Sequence, residues 1–134
     1  MEEKHTIELR GRLVSGKEEG QYFLSKEGYR EQFIDKLGID PYEGTLNVKL
    51  DEHSVEKFNK IRNKTGIVIE GFVEGKQNFG HVKSFKAEIN GVRSALVIPK
   101  KSDYKRTAEF ISNTNFRKEM GLKDGDVIEA TVWV

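Results

Sequence analysis

Polar and apolar residues alternate from Thr6 to Ser15, which places Ile7, Leu9 and Leu13 on one face, as in a half-buried strand. Ser15-Gly16-Lys17-Glu18-Glu19-Gly20 breaks that pattern, and Gln21-Tyr22-Phe23-Leu24 resumes extended character. The period then changes. Tyr29, Phe33, Ile34 and Leu37 recur at helical spacing, and Gly38 falls where a left-handed C-terminal cap is expected. Ser54 is placed to cap a shorter helix carrying Val55, Phe58 and Ile61. Farther along, Phe85, Ala87 and Ile89 alternate with polar residues, and Asn90-Gly91 separates them from a second run, Val92 to Ile98. Both turn residues tolerate positive φ, so this stretch predicts a tight hairpin. A polar loop follows Pro99. Next comes a short helix with Asn113 or Thr114 as N-cap and Gly121 just past its end. Asp124-Gly125-Asp126 turns the chain into a last strand, with Ile128, Ala130, Val132 and Val134 on one face. Many short strands with few helices predict a mainly β fold, a small closed barrel with a helical turn or two. Phe85 and Trp133 are expected in its core.

Composition narrows the classes. A chain of 134 residues is long enough for one core in one domain, residues 1–134, and it shows no repeat or linker. Without cysteine it can hold no disulfide, thiolate metal site or thiol nucleophile. A net charge of +1 with 34% charged residues provides no basic stripe for nucleic acid. The run Lys100-Lys101 and Lys105-Arg106 reads either as a solvated loop or as a phosphate-attracting rim. His5, His53 and His81 lack metal-ligand spacing and are expected on the surface or in strands. The charged start, Met1-Glu2-Glu3-Lys4-His5, has no apolar signal core, and no apolar run matches a membrane span. A cytoplasmic monomer with no nucleic-acid or membrane partner is expected.

Four places could carry chemistry. Pro41-Tyr42-Glu43-Gly44 reads as a turn feeding a strand that begins Thr45-Leu46-Asn47-Val48. Strand alternation puts Thr45 and Asn47 on one face and Leu46 and Val48 on the other. The first pair is either the polar outer face of an edge strand or a hard-oxygen site suited to Mg²⁺ held with nucleotide phosphates. Gly44 would let an anion approach the backbone. Gly16 to Gly20 is either a hairpin loop or a turn that aims N–H groups at phosphate, and it lacks the P-loop pattern. The helix near Asn115 to Met120, with Arg117 and Lys118, is either a capped, solvated turn or an anion site. Among the carboxylates Glu43, Asp103 and Glu109, the last stands out. Phe110 and Ile111 follow it and should pin it to the body of the domain, where a carboxylate can accept a proton from a hydroxyl.

Four ordered blocks resemble one family. They are Ser15-Gly16…Glu19-Gly20-Gln21-Tyr22-Phe23-Leu24, Pro41 to Asn47, Val97-Ile98-Pro99-Lys100-Lys101, and Leu122-Lys123-Asp124-Gly125-Asp126-Val127-Ile128. In their order and spacing the chain resembles the archaeal CTP-dependent riboflavin kinases, in the short form without an appended winged-helix domain. The resemblance implies a six-stranded cradle-loop (RIFT-related) barrel that moves the γ-phosphoryl of CTP to the ribityl 5′-hydroxyl of riboflavin, giving FMN and CDP. It also implies Mg²⁺ on Thr45 and Asn47. Nucleotide contacts would fall on Lys17, Glu18, Glu19, Gly20, Gln21 and Tyr22, and on Asn115, Phe116, Arg117 and Lys118. Flavin contacts would fall on Ser102 and Glu109, with Glu109 as the catalytic group. The chain departs from the family at Glu18, often Gly, and at Ser102, often Thr. Two alternatives of other classes are a non-enzymatic swapped-hairpin barrel, serving as a DNA-binding or interaction module, and the flavin-binding barrel of a reductase. The first suits short, basic dimers rather than this longer, near-neutral chain; the second would hold FMN tightly.

Overall fold

The computed structural model describes residues 5–15, 24, 26–41, 45–100 and 106–134. Nine strands are described: β1 (Thr6–Val14), β2 (Thr45–Leu50), β3 (Ile67–Ile69), β4 (Phe72–Glu74), β5 (Gln77–Phe79), β6 (Val82–Ile89), β7 (Val92–Pro99), β8 (Thr107–Ile111) and β9 (Val127–Trp133). The helices whose bounds lie among the described residues are α1 (Glu27–Leu37), α2 (Glu52–Arg62) and the four-residue α3 (Phe116–Glu119). Strands pair in the order β6-β7-β8-β2-β1-β9, and β9 returns to β6, so six antiparallel strands close the barrel. One edge of β6 is shared: Val82–Ser84 pair with β3, and Ala87–Ile89 pair with β9. The β4–β5 hairpin stands apart from that sheet.

Alternation divides the apolar residues between two layers. Leu9 and Leu13 of β1, Leu46 and Val48 of β2, Phe110 of β8 and Ile128 of β9 fill the barrel. β2 and β8 are antiparallel. The helices that follow them, α2 and α3, therefore leave opposite ends of the barrel. Each inserts an aromatic into the interior cluster, Phe58 from α2 and Phe116 from α3. Ala95, Val97 and Ile111 face outward and are covered by Tyr29, Phe33 and Leu37 of α1 together with Ile69 and Phe79. The hairpin locks onto this outer layer through rings: Phe72 stacks on Phe79 at 4.8 Å and meets Tyr29 edge-on at 4.7 Å.

Several local expectations hold. Asn90 (φ 49°) and Gly91 (φ 82°) form the turn between β6 and β7, and Gly38 (φ 69°) ends α1 in the left-handed conformation. Others are corrected. Ile34 is 45% exposed because it lies about 100° around the helix from the centre of the Tyr29–Phe33–Leu37 stripe. Asp51, not Ser54, caps α2; its carboxylate accepts from the Ser54 N–H, and the buried Ser54 hydroxyl accepts from Arg10 N–H. Asn115, not Asn113 or Thr114, caps α3. Trp133 is only half-buried, because the inward position of β9 belongs to its neighbour Val132. Leu24 is helical rather than extended, and residues 21–23 lie outside the described set. No described helix is long and apolar enough to cross a membrane.

Candidate active site

β2 and β8 lie side by side, and their register sets Asn47 directly opposite Glu109, with Thr45 opposite Ile111. Leu46 and Phe110 point into the barrel, so Asn47, Glu109 and Thr45 share the outer face, the arrangement that strand alternation predicted for Thr45 and Asn47. Asn47 also sits opposite Val14, the last residue of β1, and Glu109 sits opposite Val97 of β7. An amide and a carboxylate are therefore neighbours across one strand pair, with a hydroxyl one alternate position away.

Glu109 owes its character to the outer apolar layer. Its cross-strand neighbour Val97 and its same-face neighbour Ile111 are both buried beneath that layer. Desolvation lifts the Glu109 carboxyl from 4.5 to a pKa of about 7. Phe110 and Ile111 pin the strand as expected, but in different layers, one inside the barrel and one outside.

The same rim gathers a second set of groups. β1 ends here at Val14 and Ser15, and α3 begins here after β8. Arg117 donates to the Val14 carbonyl at 3.4 Å and pairs with Asp124. The Ser15 hydroxyl donates to the other Asp124 oxygen, and these two partners hold the Asp124 carboxyl below the usual range. The turn before β9 is fastened to β1 by Leu13 N–H to Asp126 O (2.9 Å), Gly125 N–H to Leu13 O (2.7 Å) and Arg12 to Gly125 O (2.8 Å). Asn113 adds a bridge from this rim to the segment that leads toward Thr45, donating to Gly38 O and accepting from Asp40 N–H.

The α3 segment differs in detail from the expected anion site. Asn115 Oδ1 accepts from Lys118 N–H at 3.0 Å, and Glu119 accepts from Asn115 N–H at 3.1 Å. Those N–H groups are satisfied internally, and a helix of four residues carries little dipole. Arg117 and Lys118 are exposed, whereas Phe116 is 3% exposed and committed to the barrel core. Lys17, Glu18, Glu19, Gly20, Gln21, Tyr22, Gly44 and Ser102 lie outside the described residues, as do Glu43 and Asp103. His5, His53 and His81 are exposed, and no cluster of three His, Cys, Asp or Glu that could hold a metal occurs among the described residues. The Asn47–Glu109 register and the Asp124 tie escape sequence reading, because each joins segments distant along the chain.

The sequence profile of the CTP-dependent riboflavin kinase domain, described as domain of unknown function DUF120, matches residues 13–132. The riboflavin kinase of Archaeoglobus fulgidus is 44% identical over 132 residues, covering 98% of this chain and 57% of that protein. That of Ignicoccus hospitalis is 47% identical over 128 residues, covering 95% of this chain and 72% of that protein. That of Thermoplasma volcanium is 44% identical over 129 residues, covering 96% and 59%. The chain thus spans about three-fifths of the length of two of these relatives and nearly three-quarters of the third.

Proposed function

The chain belongs to the CTP-dependent riboflavin kinase family, and we propose that it transfers the γ-phosphoryl of CTP to the ribityl 5′-hydroxyl of riboflavin, giving FMN and CDP. The observation that carries this reading is the pairing of Asn47 with Glu109 across the outer face of β2 and β8.

The donor set fits a divalent ion delivered with its nucleotide. Thr45 and Asn47 offer two neutral hard oxygens on one face, which suits Mg²⁺ when phosphates complete its shell. Mg²⁺, when bound, offsets charge on the phosphates. Phosphoryl transfer asks the protein mainly for alignment and charge neutralisation. Arg117 and Lys118 supply positive charge from α3, and Lys17 to Tyr22, which follow Ser15 closely in the sequence, add nucleotide contacts. Glu109 orients the ribityl hydroxyl and accepts its proton. A carboxylate with a pKa of about 7 is ionised in useful amount at neutral pH while keeping basicity that an exposed glutamate lacks. Ser102 contributes to the flavin side.

Incubating the protein with riboflavin, Mg²⁺ and each nucleoside triphosphate in turn, with FMN read by chromatography, tests the proposal. CTP should give the highest kcat/KM. FMN formed equally well from ATP would overturn the donor assignment alone. Tight FMN binding without turnover on any nucleotide would overturn the kinase reading.

A further inference from the structure

Asp124 touches neither Asn47 nor Glu109, yet it joins two segments that converge on them. One carboxylate oxygen accepts from the Ser15 hydroxyl, at the end of β1, and the other accepts from Arg117, at the start of α3. Arg117 uses the same Nη2 to reach the carbonyl of Val14, the cross-strand neighbour of Asn47. The turn that carries Asp124 is itself fixed to β1 by the two backbone bonds between Leu13 and the turn and by the Arg12–Gly125 contact. Asp124 is thus mounted on a rigid corner, while Arg117 and Asp124 are both largely exposed, with side chains 41% and 51% accessible. Exposed ion pairs of this kind add little stability. Stability therefore does not account for a carboxylate that gathers two donors from separate segments.

We propose that Asp124 is a positioning residue for the nucleotide: by binding Ser15 and Arg117 together, it fixes the Arg117 guanidinium at the Val14 end of β1, beside Asn47, before the triphosphate arrives. An arginine carries several rotatable bonds, and holding it in place beforehand removes an ordering cost that binding would otherwise meet. Its planar fork keeps other N–H groups for a phosphate while Nη2 is engaged. Electrostatics alone predict the opposite sign. A carboxylate beside the site repels the triphosphate, so its removal would tighten binding. The two accounts are separable by experiment. The inference rests on the kinase reading and on Arg117 serving the nucleotide.

The test is a double-mutant cycle on the intact chain, with KM for CTP and for riboflavin measured separately for wild type, Asp124→Ala, Arg117→Ala and the double variant. Asp124→Ala should raise the CTP KM about tenfold, the order expected for one freed, rotamer-rich side chain, while the riboflavin KM stays near wild type. Asp124→Asn keeps an acceptor for Arg117 and should fall between the two. In the Arg117→Ala background the Asp124 substitution should no longer raise the CTP KM, since its partner is gone. A purely structural role would not vanish in that background. Thermal melting of each variant guards against unfolding. A fall in CTP KM for Asp124→Ala, or an equal effect with and without Arg117, overturns the positioning role and leaves the kinase reading intact. An unchanged CTP KM in Arg117→Ala overturns the nucleotide role of that residue, and this inference with it.

Discussion

Replacing Glu109 by Gln removes a charge that folding has desolvated, so it should stabilise the protein while disabling it. The carboxyl titrates near 4.5 when exposed and at about 7 in the folded chain. Between those values the native state binds more protons than the unfolded state, so stability falls as pH rises through the interval. The difference of about 2.5 pH units corresponds to roughly 3 kcal/mol lost by pH 8 and restored in full below pH 4.5. The neutral amide of Glu109→Gln would have no such dependence. At pH 8 the variant should melt above wild type by up to about 10 °C for a domain of this size, less whatever its amide N–H₂ loses for want of partners. At pH 4 the two should coincide. Urea or thermal unfolding across pH 4–8 measures this directly. A variant no more stable than wild type at pH 8 would refute the desolvation account. Activity should move the other way. If Glu109 takes the hydroxyl proton, kcat falls by roughly 10²–10⁴-fold, and the limb of the wild-type pH–rate profile near pH 7 disappears. If it only orients the flavin, the loss is smaller and shows as a raised riboflavin KM. Unchanged kcat and riboflavin KM would remove Glu109 from the site.

Thr45→Ala and Asn47→Ala should each lower turnover by at least about tenfold with melting unchanged, and excess Mg²⁺ or Mn²⁺ should restore part of it. FMN formation by Asn47→Ala at the wild-type rate would remove the metal assignment. Leu46→Ala, one residue away but 3% exposed inside the barrel, should cost about 2–5 kcal/mol in denaturant unfolding. Gly11→Ala should also destabilise, by about 1–3 kcal/mol, because an added Cβ would lie 2.2 Å from the Lys49 carbonyl oxygen where β1 pairs with β2. Unfolding of Gly11→Ala at the wild-type midpoint would show that the two strands can part at no cost.

Elements whose signal is local were legible in the sequence. The period of Tyr29, Phe33 and Leu37, the Gly38 cap and the Asn90-Gly91 turn each depend on neighbours a few residues away. What failed to show were choices among local competitors and contacts across the chain. Asp51 and Ser54 both suit an N-cap, and Ser54 is drawn inward by the Arg10 N–H of a strand 44 positions earlier. Trp133 reads as core by residue type, yet the closure of β9 onto β6 fixes its parity outward. β3, β4 and β5 are three residues each, too short for a period to emerge. Thr45, Asn47 and Glu109 are each readable as polar residues next to apolar ones. That Asn47 faces Glu109 follows only from the β2–β8 register.

That register also puts the residues of the proposed site on the outer wall. The barrel interior is filled by side chains from all six strands, with aromatics entering from α2 and α3. The strands that build this core carry the residues of the proposed site at their alternate positions. Leu46 and Phe110 hold β2 and β8 together from within, and Asn47 and Glu109 face outward from the same register. The second apolar layer, Val97 and Ile111 beneath α1, then covers enough of that face to desolvate Glu109 without enclosing it. The rigid wall fixes the spacing of the polar pair, and the outer layer tunes the carboxylate.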